Sequence, residues 1–81
     1  MTATVQDIRV WVNTGVNKGA THVIIALDTW AHDNYPIYVM PTDNVHDIVA
    51  SYCGKEDRID EVYNLSMDIE SQLKSPRVYN L

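Results

Sequence analysis

Cysteine is almost absent from this chain: Cys53 is the single one among 81 residues. No intrachain disulfide can form and no cysteine-based metal site can be built, so a reducing compartment is expected. Glycine and proline number three each, beside 46% hydrophobic and 21% charged residues, which excludes a disordered chain and points to a globular one. Positive charge is short. Six Lys and Arg stand against eleven Asp and Glu, a net charge of −5. That balance argues against a direct nucleic-acid binder, which needs cations to neutralise phosphates, and against a polybasic membrane-surface protein. The longest apolar run, Val23-Ile24-Ile25-Ala26-Leu27, falls far below the roughly 20 residues of a membrane helix. No basic stretch leads into an apolar one near Met1, so no signal peptide is expected and a cytoplasmic location is. The length suits a single small domain over 1–81 and excludes a Rossmann unit, a TIM barrel or a kinase.

Against those absences, the patterning is clear. Val5, Ile8, Trp11 and Val12 recur at steps of three and four, the spacing of one helical face. Thr4 is placed to cap that helix, Asp7 and Lys18 suit its dipole, and Gly19 suits a left-handed stop. Gly15 with Asn13 and Asn17 weakens the second half and predicts an end near Asn13. Thr21 to Asp28 is rich in β-branched residues and apolar on both faces, as in a strand buried on two sides. After a polar loop, Tyr35 to Met40 reads as a second strand, with Pro36 marking an edge. The short connection predicts an antiparallel hairpin.

Thr42 or Asp43 can cap a helix reaching Tyr52 or Cys53, with Val45, Ile48, Val49 and Tyr52 on one face and Gly54 as its stop. Ile59, Val62, Ser66, Ile69 and Leu73 follow helical spacing, so a last helix is predicted from an Asp57 cap to Ser75-Pro76. The expectation is an α+β fold: an antiparallel β-hairpin packed by three helices, in the order α-β-β-α-α. A lone hairpin is marginal and leaves two open edges, yet Thr21–Asp28 has the composition of an inner strand. A second copy completing the sheet resolves that conflict, so a homo-oligomer is expected.

The chemistry-bearing residues gather around the hairpin loop. Asp28, His32 and Asp33 could act as acid, base or metal ligand. No metal-binding spacing accompanies them, and Asp28, Thr29 and Asp33-Asn34 also suit ordinary turns. No catalytic residue, cofactor or metal is therefore assigned, and the chain is read as a binder and not an enzyme. Partner or ligand contact is placed on Asp28, Trp30, His32, Tyr35 and Tyr38. His22 reads as a satisfied core residue, His46 as exposed, Cys53 as a small buried hydrophobe, and Ser66 as a close-packing residue. From Asp43 onward eight acidic residues face four basic ones. Asp57 and Glu61 of the predicted last helix would form an acidic surface for docking on a basic partner.

The strings Gly19-Ala20-Thr21-His22-Val23-Ile24, Asp28-Thr29-Trp30 and Tyr35-Pro36-Ile37-Tyr38-Val39, with 61–68 beyond them, resemble a family of short accessory proteins of tailed bacteriophages. The resemblance implies a small phage protein that binds and blocks a host system, such as a defence component, or sequesters a small signal molecule. The favoured expectation is a non-catalytic acidic inhibitor or adaptor that binds a host protein with a basic surface, in the host cytoplasm. The alternative is an oligomeric sponge for a nucleotide-type signal. There Trp30 or Tyr35 would stack on the base and His32 would reach a phosphate, with Arg9, Lys18, Arg58 and Arg77 as the available cations.

Overall fold

The computed structural model describes residues 2–81. Its elements run α1 (Val5–Lys18), β1 (His22–Asp28), β2 (Asp33–Val39), α2 (Val45–Ser51), β3 (Arg58–Asn64) and α3 (Ile69–Lys74). The fold is α+β, and the strands form one antiparallel sheet in the order β2-β1-β3.

Helix α1 opens on a full capping box: Asp7 N–H donates to Thr4 Oγ1, and Thr4 N–H donates back to the Asp7 carboxylate. It ends at Gly19, whose φ of 79° is the left-handed conformation glycine adopts freely. The helix does not stop near Asn13. Gly15 is buried, and a Cβ there would lie 2.6 Å from Val23 Cγ2. Glycine is therefore present to let α1 lie close on β1, and tertiary contact outweighs its weak helix propensity.

β1 is the central strand, buried from Val23 to Leu27. On one face Val23 and Ile25 pack with Ile8 and Val12 of α1, Tyr63, Leu73 of α3, and Val78. On the other face Ile24, Val39 and Val62 meet Val45 of α2. β2 is an edge strand and carries Pro36, where a missing amide is tolerated. The expected hairpin is present, closed over the 29–32 turn.

The predicted last helix is corrected. Its first half is strand β3, and only Ile69–Lys74 is helical, capped by Asp68. The cause is a β-bulge. Ile24 pairs with Val62 and Ala26 with Ile59, so two steps along β1 match three along β3, with Asp60 left over. Ile59 and Val62 thereby reach the same face at a spacing of three, which imitates a helix. Because β3 pairs with the open side of β1, the inner strand is completed within one chain. The premise for a second copy, an inner strand with no second neighbour, is removed.

Beyond β3 the chain end adds a short parallel bridge. Val62 N–H donates to Val78 O and Asn80 N–H donates to Val62 O, each at 2.9 Å. Gln72 is buried yet fully engaged: its amide bonds Asn64 N and O, Asp68 O and Asn80 Nδ2. His22 is half-buried, bonded at Nδ1 to Thr21 Oγ1 and at Nε2 to the Leu81 main-chain oxygen. His46 is exposed. Cys53 is exposed in the turn after α2, so its expected burial is corrected. Ser66 is an exposed turn residue bonded to Asn64 Oδ1, and not a helix-packing residue. Among the described residues no helix is long and apolar enough to cross a membrane.

Candidate functional site

The end of the sheet where β1 passes into β2 is bound to the α2–β3 loop. Asp28 Oδ1 accepts from the amides of Trp30 at 2.9 Å and Ala31 at 3.2 Å, which holds the turn closed. His32 takes φ 55°, the left-handed position that completes the reversal. Two bonds then cross to the neighbouring loop. Thr29 Oγ1 donates to Glu56 O at 3.0 Å, and the Trp30 indole N–H donates to the Glu56 carboxylate. A third lies behind them, where Tyr35 OH donates to Asp57 Oδ2 at 2.5 Å.

This lacing has two consequences. The Tyr35 hydroxyl is held well above the ordinary tyrosine range, first by its bond to Asp57, then by burial and by Tyr52 beside it. Tyr35 is thus a neutral donor at physiological pH. Trp30, in contrast, has its N–H fixed while its ring stands out: it is 78% exposed, the largest exposure among the large hydrophobic residues described. An indole pinned at its polar edge presents a fixed apolar face to solvent.

Five of the seven expected site residues are brought to this end: Asp28, Trp30, His32, Tyr35 and Asp57. Asp57 arrives there from the strand entry and not from a helix cap. Tyr38 and Glu61 lie elsewhere. Tyr38 packs on the α1 face with the Lys18 ammonium 5.3 Å from its ring centroid. Glu61 accepts from Tyr63 OH at 3.1 Å and from Val78 N–H at 3.2 Å. A joint Asp57–Glu61 acidic helix turn does not exist, because Asp57 immediately precedes strand β3 and Glu61 lies within it. Glu56 was not among the expected site residues, although it holds Trp30. Its partner is 26 positions away, and no local pattern announces that pairing.

The charge around the turn is mostly negative. Asp28, Asp33, Glu56 and Asp57 belong to it, with Lys55 and Arg58 as neighbours on the chain. Lys55 lies over the Tyr52 ring, 5.5 Å from its centroid. Among the described residues no group of three or more His, Cys, Asp and Glu could hold a metal ion. Arg77, an available cation in the nucleotide reading, lines a separate groove with Asp60 and Glu61. No family model matches the chain, and no curated protein or solved structure matches it.

Proposed function

We propose that this protein is a non-catalytic accessory protein of the phage type, an acidic inhibitor or adaptor that binds a host protein through the 28–32 turn. The observation that carries the reading is Trp30, with its ring in solvent and its indole N–H held by Glu56 among carboxylates. A fixed tryptophan is a strong anchor, since it buries a large apolar area and loses little entropy on contact. The surrounding carboxylates favour a basic partner surface and speed encounter with it. A component of a host defence system is the class of target that the phage resemblance implies. The same carboxylates oppose a nucleotide, because a base stacked on Trp30 would carry its phosphates into negative charge.

The test is capture from host lysate followed by kinetics with the partner recovered. Trp30→Ala should weaken binding by about 2 kcal/mol or more. Glu56→Lys should slow association, and added salt should slow the unmodified protein toward the same rate, since exposed charges are screened beyond about 8–10 Å. Association that ignores both salt and the two substitutions overturns the proposal. So does recovery of a bound nucleotide in place of a protein.

A further inference from the structure

The tetrapeptide Val-Tyr-Asn-Leu occurs twice in the chain, at 62–65 and at 78–81. The fold lays the second repeat beside the first. Val62 and Tyr79 form a parallel bridge, so the repeats run the same way with an offset of one residue. An offset of one reverses the faces. Val62 joins the α2-face cluster and Leu65 the α1-face cluster, whereas Val78 joins the α1 face and Leu81 the α2 face. The second repeat is seated as a bound peptide is when it adds a strand to a sheet edge. Val62 spends both its N–H and its carbonyl on it, Val78 N–H donates to the Glu61 carboxylate at 3.2 Å, and His22 Nε2 meets the Leu81 main-chain oxygen at 3.0 Å. Side chains add selection. Val78 is buried, and Asn80 Nδ2 donates at 3.1 Å to Oε1 of buried Gln72, the same oxygen that accepts from Asn64 N–H at 2.9 Å.

We propose that 78–81 is an exchangeable strand, and that the groove along the outer edge of β3 takes the 78–81 segment of a second copy of this chain. If the segment lifted off with nothing in its place, Val62 would lose both main-chain partners and Val78 would leave a void in the core. Only a segment with the same pattern restores both. The edge and its occupant carry one tetrapeptide, so the groove selects its like, and the chain itself supplies that segment. A pair of chains that each lend 78–81 to the other repeats every contact of the closed chain, so the hinge and the concentration decide between the two forms. The hinge is short: Ser75, Pro76 and Arg77, all exposed, join α3 to Val78. Short hinges favour exchange, and Pro76 has a fixed φ that limits how the hinge folds back. A tethered segment has an effective concentration of about 1 mM, which sets the range in which exchange competes. This interface is separate from the Trp30 turn.

The full chain is followed by light scattering from about 20 µM to about 2 mM. Its mass should rise from 9.2 kDa toward twice that value. Hinge length should act in opposite directions. Deleting Arg77 leaves two residues for the same span and should bring the dimer to a concentration at least about tenfold lower. Inserting Gly-Gly-Ser after Ser75 relaxes the closed form and should move the dimer at least about tenfold higher. Nuclear magnetic resonance on a mixture of nitrogen-labelled and carbon-labelled chains separates exchange from any other dimer. Contacts between the Val62 amide of one chain and Tyr79 of the other should appear. A synthetic peptide of residues 75–81, in excess, should dissolve the dimer and shift the Gln72 side-chain amide. Its Asn80→Asp form has no donor for Gln72 and should bind at least about tenfold more weakly. A mass that stays at 9.2 kDa up to about 2 mM in both the unmodified and the Arg77-deleted chain overturns the proposal. So does a dimer that ignores hinge length, or one that lacks the Val62–Tyr79 contact between chains. The insertion keeps 78–81 and its groove intact, so it decides the matter even where the deletion prevents folding.

Discussion

The two faces of the sheet are covered to different depths. The α1 face lies under a 14-residue helix with a capping box and a buried glycine, joined by α3 and Val78. The opposite face lies under α2, seven residues long, of which only Val45 is buried. Its cluster is completed by half-buried Ile37, Ile48, Val49, Ile59 and Leu81. Isolated helices shorter than about 12–15 residues are marginal, so α2 depends on its packing and on the Asn44 cap, which accepts from Asp47 N–H. One side of β1 is thus a locked core and the other a looser lid. The tryptophan turn is tied to the loop that leaves that lid.

Truncating β1 on each side tests the comparison most severely. Ile25 and Ile24 are both fully buried, on the α1 and α2 faces respectively. Each change to Ala should cost about 2–5 kcal/mol, with Ile25→Ala nearer the upper end because the locked face cannot collapse around the void. Urea midpoints measure this. Native-state hydrogen exchange should also show α2 amides opening at lower free energy than those of α1. Equal costs together with equal protection would erase the distinction between the faces.

Gly15 sharpens it next. In an exposed helix, Gly to Ala would stabilise by about 1 kcal/mol. Here the added methyl meets Val23 at 2.6 Å and Leu65 at 3.3 Å. Gly15→Ala should instead destabilise, by about 1–3 kcal/mol. A neutral or stabilising result would mean that α1 stands further from β1 than the structure places it.

These positions also explain what the sequence could and could not reveal. Thr4, Gly19 and the run from Val23 to Leu27 announce themselves because capping and two-sided burial leave local marks. Gly15 misleads because its reason is a residue eight positions away in a strand. Ile59 and Val62 mislead because the Asp60 bulge turns a period of two into a gap of three. One misread strand carries with it the acidic helix turn expected at Asp57 and Glu61, and the argument that a second copy is needed to complete the sheet. The tryptophan turn was legible because a hairpin keeps Asp28, Trp30, His32 and Tyr35 close in sequence. Glu56 and Tyr52 reach it from across the sheet, and nothing near them in sequence marks the contact.

High pH distinguishes the faces more gently. Tyr63, on the locked face, is held above the ordinary tyrosine value of 10 by burial first, and then by the charge and hydrogen bond of Glu61. Tyr35, on the α2 side, is raised mainly by its bond to Asp57. Both groups keep their protons longer folded than unfolded. Their contribution is therefore fully present below the unfolded value near pH 10 and is lost as pH rises above it. Chemical denaturation at increasing alkalinity should show falling stability, and Tyr63→Phe should flatten part of that fall. A decline just as steep in Tyr63→Phe would show that Tyr63 does not ionise against Glu61.

The smallest expected effect is at Trp30. Its ring packs on neither cluster, and its one side-chain bond, to Glu56, is solvent-exposed. Exposed hydrogen bonds contribute little net stability, and surface substitutions usually stay within about 0.5 kcal/mol. Trp30→Ala should therefore leave the urea midpoint almost where it was, even though tryptophan is the largest side chain in the protein. That outcome would fit the proposal that Trp30 is held at this end for contact with a partner. If Trp30→Ala instead lowered stability by more than about 1.5 kcal/mol, the ring would be a clasp between the hairpin turn and the α2–β3 loop. Its exposure would then be a by-product of that clasp, and the tryptophan would no longer support a binding surface at this end of the sheet.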